Sequence, residues 1–341
     1  MYSVLSPIKS LGYERPKGLL YLREIISQHI KKFHINASPS SILIVSGSLQ
    51  ALQLISMSIL KPGSTVLVEK PSYIKSLHVF ESWGTKLKGI SMDKDGVKLN
   101  EILKNLDNTT SLLYTIPTFN NPTGTIMSQD RRDDLLNLCT RERLPIIEDD
   151  AYRELWMEEI PPDTLKSRDK NGIVLYMNTL SKSLAPGMRI GWVIGPEAVI
   201  ERLGDVKMQT DYGASSISQY AAAEWIKSGL YEAYLKKLRR KLKLRRDITI
   251  KILEKYFSDI ALWNIPKGSF YIWMRLNSKI NMTKLFYRCC KNGILINPGY
   301  MYDFNTNYNI RISYSYASIQ DLQFGLKKLS DIIRNSHFDL E

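Results

Sequence analysis

Apolar strands that alternate with helices run through most of this chain, and a short polar cluster follows several of the strands. In SILIVSGSLQALQLISMSIL (41–60), a buried strand, a turn of small residues and an apolar helix follow one another. Further apolar strands are TVLVE (65–69), SLLYTIP (111–117) and LPII (144–147). Apolar strands separated by helices pack as a mostly parallel sheet with helices on both faces. The sequence therefore predicts an α/β fold.

The pattern changes in the last third of the chain. After a helical stretch at 197–256, aromatic-rich strands flank a Pro-Lys-Gly turn at 260–276, and a helix at 318–335 closes the sequence. We therefore predict a large domain at 1–235 with a mostly parallel central sheet, and a smaller C-terminal α+β domain at 236–341.

Composition excludes several classes of protein. With 44% hydrophobic and 24% charged residues in 341, the chain has the balance of a globular protein, and no apolar run reaches the length of a membrane span. Its three cysteines form no CxxC pair, so we predict neither a disulfide framework nor a metal site. A reducing, cytoplasmic location is expected.

The net charge of +13 favours anionic partners. The densest basic segment is KKLRRKLKLRRD (236–247), in which leucines at helical spacing predict an amphipathic helix with a basic outer face. A solvated helix face is the simpler interpretation, because no aromatic or glycine pattern interrupts the charges. A nucleic-acid contact is the alternative.

Ligands of open α/β sheets bind at the carboxyl ends of the strands, and unusual polar clusters lie there. Ser46, Gly47 and Ser48 follow the first strand, where backbone N–H groups could bind a phosphate, although taken alone the turn favours a simple helix cap. NNPTG (120–124) is also a common turn sequence. EDDAY (148–152) places three acids after a very apolar strand, so we predict at least one inward-pointing carboxylate and a surface turn for others.

Two further residues, Tyr73 and Lys182, follow other strands of the series. Tyr73 in PSYIKS is as compatible with a core or surface position as with ligand contact. Lys182, in NTLSKSLAPGMRIGW, would by default be a solvated loop lysine. An acid and a lysine at neighbouring strand ends form either a structural ion pair or two contacts of a cofactor.

Taken together, these clusters resemble the fold type I, pyridoxal-phosphate-dependent aminotransferases of class I/II. SGS, PSY, NNPTG, EDDAY and TLSKSLAPGMRIG occur in the order of that family, between GYERPKGLLYLREII near the start and NIRISYS near the end. The chain is most similar to the aminotransferase-like domain of MocR-type transcription regulators, which normally follows a GntR-type winged helix. Stand-alone aminodicarboxylate-type aminotransferases share many of the same segments. The resemblance implies the PLP-dependent transferase fold type I.

The resemblance also implies a role for each residue that contacts the cofactor ring. Lys182 would bind the aldehyde of pyridoxal 5′-phosphate covalently and then act as general acid and base. Asp149 would pair with the pyridine nitrogen. Asn121 and Tyr152 would hydrogen-bond the phenolic oxygen, and Tyr73 would stack on the ring.

Other residues are implied in binding the phosphate and the substrate. The phosphate would be bound by Ser46, Gly47, Ser48, Thr179, Ser181 and Arg189. Tyr13 would reach the phosphate of the partner subunit, which implies a homodimer with shared active sites. Arg311 would hold the α-carboxylate of the substrate in a bidentate pair. The resemblance implies no metal.

Transamination between an amino acid and a 2-oxo acid is the implied reaction. The second hypothesis is an effector-sensing domain that is normally joined to a DNA-binding module. About eleven residues precede Gly12, whereas enzymes of this family usually carry several dozen there. We therefore expect either a fragment of a regulator or an enzyme with a shortened arm, and DNA binding only if a winged helix lies upstream. Nucleic-acid binding through the basic helix is a third hypothesis.

Overall fold

The larger of the two sheets formed by the described residues is mostly parallel. The computed structural model describes residues 12–303, 305 and 308–335, apart from the side chain of Lys75. Eight strands form the larger sheet: β1 (Ile42–Val45), β2 (Thr65–Lys70), β3 (Lys86–Asp93), β4 (Gly96–Val97), β5 (Thr110–Thr115), β6 (Ile146–Asp149), β7 (Val174–Thr179) and β8 (Gly191–Ile194). Their order is β1-β8-β7-β6-β5-β2-β3-β4. The α/β prediction is confirmed.

The direction of β8 decides which loops meet. The strands β3, β2, β5, β6 and β7 run parallel to one another, whereas β8 runs antiparallel to both β7 and β1. The start of β8 therefore lies at the same edge of the sheet as the ends of β1, β7, β6, β5 and β2. We call this edge the carboxyl edge.

Helices cover both faces of the larger sheet. The described helices are α1 (Leu20–His29), α2 (Ser48–Ile59), α3 (Ile74–Glu81), α4 (Leu99–Asn105), α5 (Gln129–Arg141), α6 (Leu165–Arg168), α7 (Leu180–Ser183), α8 (Glu197–Thr210), α9 (Ser216–Lys227), α10 (Leu230–Phe257), α11 (Met282–Lys291) and α12 (Ile319–Arg334). None of them, within the part of the chain that the structure describes, is long and apolar enough to cross a membrane.

Alternate residues of β1 illustrate why its sequence is continuously apolar. Leu43 and Val45 belong to the hydrophobic cluster that includes Leu52 of α2. Ile42 and Ile44 point to the opposite face, where they belong to the hydrophobic cluster that includes Ile26 of α1. A strand buried on both faces has no polar side, so its sequence shows a run instead of an alternation.

The smaller sheet has four antiparallel strands in the order β11-β12-β10-β9, namely β9 (Ala261–Trp263), β10 (Tyr271–Leu276), β11 (Asn297–Pro298) and β12 (Asn309–Ser313). The long helix α10 runs through the predicted domain boundary between residues 235 and 236. It contributes Leu235 to the core beside the large sheet, and Leu253 to a core shared with the small sheet. The division into 1–235 and 236–341, whose outer ends lie beyond the described residues, stays a prediction.

The basic segment of α10 is helical, as predicted, but part of its charge faces the protein. Arg239 donates to the carbonyl of Glu154 at 2.8 Å, and Arg246 pairs with Glu158. The exposed cations of the segment are Lys236, Lys237, Arg240, Lys241 and Lys243. The inward arginines fasten α10 to its neighbours, so they are not available to an anionic partner.

A close contact between Gly268 and Phe119 joins the small-sheet part to a loop of the large sheet. Gly268 forms an isolated antiparallel bridge with Trp156, and the N–H of Ser269 donates to the carbonyl of Leu155 at 3.1 Å. A Cβ at position 268 would lie 2.3 Å from Cζ of Phe119. The Phe119 ring could not keep its position if residue 268 carried a side chain.

We expect the Gly268→Ala variant to lower the free energy of unfolding by about 1–3 kcal/mol, because the added methyl overpacks this junction. Urea denaturation would measure the loss. Gly325→Ala in α12 is the matched control, since a Cβ there meets nothing within 4 Å. The control should leave stability unchanged or raise it by about 0.5–1 kcal/mol. Equal losses at both positions would contradict the steric explanation.

Candidate active site

The turn after β1 brings Arg189 against the backbone of Gly47. The φ angle of Gly47 is +87°, and a Cβ there would lie 2.5 Å from a guanidinium nitrogen of Arg189. Arg189 donates from Nη2 to the carbonyl of Ser46 at 2.7 Å, and its Nη1 lies 3.5 Å from Oγ of Ser181. Only glycine at position 47 allows this approach. The arginine reaches the turn because β8 begins at the carboxyl edge.

Hydroxyl groups extend this cluster of donors. Oγ1 of Thr179 accepts from the N–H of Ser181 at 3.1 Å, lies 3.0 Å from its Oγ, and donates to the carbonyl of Ile190 at 2.9 Å. Ser48 is the first residue of α2, where backbone N–H groups point out of the helix. A guanidinium, hydroxyls and a helix amino end form a donor set suited to a phosphate. The structure thus brings together the residues that the sequence predicts around a phosphate, namely Ser46, Gly47, Ser48, Thr179, Ser181 and Arg189.

The three acids at the end of β6 are all buried, so the expectation that some lie in a surface turn is wrong. Glu148 and Asp150 are fully buried, and Asp149 is 8% exposed. Glu148 lies 3.6 Å from a guanidinium nitrogen of Arg132, and Asp150 lies 3.6 Å from one of Arg153. Each of the two flanking acids thus has a buried arginine beside it, whereas Asp149 has none.

Asp149 has no ion-pair partner among the described residues. Its Oδ2 accepts from the hydroxyl of Tyr114 at 2.7 Å, and its Oδ1 accepts from the N–H of Ala151 at 3.2 Å. Burial raises the pKa of Asp149 to about 6, against the opposing effects of the Tyr114 bond and the positive charge of Lys182. A buried carboxylate of this kind is stabilised by a cationic N–H donor. A protonated pyridine nitrogen therefore fits here.

Asn121 links the large sheet to the small one. Its Nδ2 donates to the hydroxyl of Tyr152 at 3.3 Å, and its Oδ1 accepts from Nη1 of Arg311 at 2.8 Å. Burial, followed by the adjacent hydroxyl of Tyr271, raises the pKa of Tyr152 well above its ordinary value. The Tyr152 hydroxyl therefore stays protonated and able to donate at neutral pH.

Arg311 lies between two aromatic rings. Its guanidinium carbon is 3.9 Å from the ring centre of Tyr271 and 4.8 Å from that of Tyr302. Its buried Nε has no hydrogen-bond partner among the described residues. An unpaired buried donor is costly, and an arginine held between rings presents a planar fork that matches a carboxylate.

Sequence reasoning missed three tyrosines of this site, Tyr114, Tyr271 and Tyr302. Tyr302 also stacks on Tyr73, with ring centres 6.4 Å apart and an interplanar angle of 29°. Nothing in the sequence separates Tyr114 from an ordinary core residue. Tyr271 could be found only from the register of the small sheet, which pairs Arg311 with Trp273, two residues along β10.

Lys182 and Tyr13 are exposed in the single chain. Lys182 lies in the four-residue helix α7 at the end of β7. A lysine that reacts as a nucleophile is commonly partly desolvated, and one chain alone does not provide that environment for Lys182. Tyr13 is 89% exposed, and its ring lies 5.6 Å from that of Tyr212. Its hydroxyl bonds none of the predicted cofactor-binding residues of its own chain within the described part.

Comparison with known proteins gives a consistent result. The family described as aminotransferase class I and II matches residues 8–329. The HTH-type transcriptional regulator YisV of Bacillus subtilis is 52% identical over 336 residues, which is 98% of this chain and 69% of that protein. NorG of Staphylococcus aureus, also an HTH-type regulator, is 36% identical over 330 residues, 95% of this chain and 73% of that protein. A solved structure of the kynurenine aminotransferase of Pyrococcus horikoshii, in complex with PMP, has a TM-score of 0.92 at 32% identity and covers 97% of this chain and 84% of that one.

The raised pKa of Asp149 predicts a pH-dependent stability of the cofactor-free protein. Its folded-state pKa of about 6 exceeds the ordinary aspartate pKa of 3.8. The folded state therefore favours the protonated carboxyl, and this contribution is complete below about pH 4 and lost as the pH rises through 6. Relative to the Asp149→Asn variant, the wild type should lose about 3 kcal/mol of unfolding free energy between about pH 4 and 7. Urea denaturation across this range would measure the difference.

The Asp93→Asn variant serves as a control of opposite sign. The ion pair with Arg131 outweighs partial burial and lowers the pKa of Asp93. Relative to that variant, the wild type should lose stability only as the pH falls below about 4. A wild type and an Asp149→Asn variant with parallel pH profiles would contradict the assignment of a raised pKa to Asp149.

Proposed function

The chain belongs to the class I and II aminotransferase family, and from this premise we propose that it moves an amino group between an amino acid and a 2-oxo acid, with pyridoxal 5′-phosphate bound at the carboxyl edge. The observation that carries the proposal is Asp149, a buried carboxylate with no ion-pair partner among the described residues. Asp149 lies close enough to Lys182 for the positive charge of the lysine to lower the pKa of Asp149. When bound, the cofactor supplies an electron sink for the negative charge that forms on the substrate α-carbon.

Each part of the carboxyl edge has a separate task in this proposal. Asp149 would accept a hydrogen bond from the protonated pyridine nitrogen and so keep the ring positively charged. Asn121 and Tyr152 would bond the phenolic oxygen, and Tyr73 would cover one face of the ring. The phosphate would be held in the cluster formed by Ser46, Gly47, Ser48, Thr179, Ser181 and Arg189.

Lys182 carries the reactive amine. With the cofactor bound, its Nζ would hold the aldehyde carbon until the amino group of a substrate replaced it. The free amine would then take the proton from the substrate α-carbon and return it to the cofactor side, acting as base and then as acid. A lysine can exchange protons in this way near neutral pH, whereas an arginine stays charged.

Arg311 fits the α-carboxylate of the substrate. Its unpaired Nε and a terminal nitrogen can donate two parallel hydrogen bonds to a carboxylate. The rings of Tyr271 and Tyr302 hold the guanidinium plane in place before substrate arrives. Because Asn121 contacts both Arg311 and Tyr152, the carboxylate site and the ring site are directly connected.

We also propose that the chain forms a homodimer with shared active sites. Lys182 and Arg189 are exposed in the single chain, and the exposed Tyr13 and Tyr212 lie together near the phosphate turn. Asp211, next to Tyr212, accepts from Gln50, whose Oε1 accepts from the N–H of Ser46. A second chain that supplied Tyr13 would cover the reactive lysine. Three unpaired cysteine thiols fit a cytoplasmic setting.

An effector-sensing domain is the second candidate function, favoured by the 52% identity to a transcriptional regulator of greater length. In that case the Lys182 site would detect an amine or amino acid, and DNA would be bound by a winged helix upstream. The two candidates share the cofactor site and differ in turnover.

We expect the Lys182→Ala variant to lose covalent attachment of the cofactor. Borohydride reduction followed by peptide mass spectrometry should label Lys182 in the wild type and nothing at this position in the variant. Any transamination should fall at least about 10³-fold, because the proton-transfer group is gone. Lys236→Ala, which removes an exposed lysine of α10, is the matched control and should behave as wild type.

Turnover separates the two candidates. The wild type loaded with cofactor is mixed with each of the common amino acids, and both its absorbance and the release of 2-oxo acid are followed. We expect both to change for at least one amino acid. An absorbance change without release of any 2-oxo acid would contradict the proposed aminotransferase activity and would support the effector-sensing domain.

The Arg311→Lys variant should weaken amino-acid binding. Loss of a bidentate, charged pair is expected to raise the half-saturating amino-acid concentration about 10- to 100-fold. The absorbance titration described above would measure it. Arg275→Lys on the exposed side of β10 is the control and should leave the titration unchanged. An equal effect of both variants would argue against a carboxylate site at Arg311.

A further inference from the structure

The helix that carries Lys182 is too short to hold its own position. The helix α7 contains four residues, and isolated helices of that length are not stable in water. Its amino end is fixed by Thr179, whose hydroxyl caps Ser181 and bonds the segment that leads into β8. Its carboxyl end requires a separate anchor.

That anchor is Tyr231, at the start of α10. The Tyr231 hydroxyl lies 2.7 Å from Oγ of Ser183, the last residue of α7, and donates to Oε2 of Glu154 at 2.6 Å. Because a phenol has one proton, and the carboxylate accepts it, the Ser183 hydroxyl supplies the proton for the other bond. Tyr231 is fully buried, and Ser183 and Glu154 are 3% and 4% exposed. We call these three residues the Tyr231 bridge.

Glu154, at the far end of the Tyr231 bridge, has basic side chains beside its carboxylate. Oε1 of Glu154 lies 2.6 Å from Nζ of Lys32 and 3.4 Å from Nε2 of His29. Burial would raise the pKa of Glu154, but these two neighbours outweigh it and hold the pKa well below its usual range. Glu154 therefore stays ionised and is a strong acceptor for Tyr231.

The same charges argue against a metal ion at this place. His29, Glu154 and Glu232 could together present three ligand atoms to a cation. However, the ammonium group of Lys32 already contacts both carboxylates. Lys32 thus already supplies a cation to this cluster. The other carboxylate oxygen of Glu154 accepts from Tyr231, which contacts Ser183 next to Lys182.

We propose that Tyr231 is a positioning residue, which fixes the carboxyl end of α7 through Ser183 and so holds the amine of Lys182 in line with the cofactor aldehyde. The inference rests on the proposed function of Lys182. Tyr231 touches neither cofactor nor substrate in this proposal. Its effect is on the geometry of the reactive amine, and a small displacement of a reacting group is costly in rate.

Two variants break the Tyr231 bridge at different bonds. Tyr231→Phe removes the shared hydroxyl and keeps the buried ring, while Ser183→Ala leaves the bond between Tyr231 and Glu154 intact. At saturating pyridoxal 5′-phosphate, we expect each to slow borohydride-trapped labelling of Lys182 about tenfold. The double variant should be no slower than the slower single variant, because both act through one bond. Turnover number should fall with little change in the half-saturating amino-acid concentration, since Arg311 is untouched.

Tyr314→Phe is the matched control, because it deletes another fully buried tyrosine hydroxyl, one that donates to the carbonyl of Ser269 at 2.8 Å. It should lose stability as Tyr231→Phe does and label Lys182 at the wild-type rate. Labelling of both single variants within twofold of wild type would overturn the positioning role, as would additive effects in the double variant. If the wild type itself labels no Lys182, the proposed function fails instead.

Discussion

The reversed direction of β8 is the constraint on which the rest of the candidate site depends. Were β8 parallel to its neighbours, its first residue would lie at the opposite edge, about 10 Å away for a strand of four residues. Arg189 could then reach neither Gly47 nor Ser181. Because β8 is antiparallel, residues 184–188 need only make a short turn between the helix that carries Lys182 and Arg189. A Cβ on Gly191 would lie 2.9 Å from the carbonyl of Asn178, so the first residue of this reversed strand has little room for a side chain.

The end of β6 shows how neighbouring acids acquire different roles. Glu148 and Asp150 lie beside buried arginines, whereas Asp149 is bonded only by neutral donors, a phenol and a backbone N–H. Burial raises the pKa of Asp149 to about 6, and no ion pair within the described residues offsets the cost of burying its charge. A cationic ligand would therefore be stabilised at the one position of the three that has no arginine beside it.

Much of this arrangement could be predicted from strand patterns. The runs ILIV and LPII are apolar because both faces of the sheet are covered, and parallel neighbours then place the residues after each run at one edge. Tyr114, Tyr271 and Tyr302 could not be predicted, because their contacts depend on register and on packing between distant segments. The surface turn expected for the acids was wrong for a related reason, since Arg132 and Arg153 lie outside the motif and carry the charge that makes burial possible.

One long helix has a mechanical consequence for the molecule. The helix α10 is about 42 Å long and reaches from Tyr231, which contacts Ser183 next to Lys182, to Phe257 in the core shared with the small sheet. The small sheet carries Arg311, which receives the carboxylate in our proposal. The helix therefore fixes the spacing between the segment that bears Lys182 and the core beneath the strand that bears Arg311.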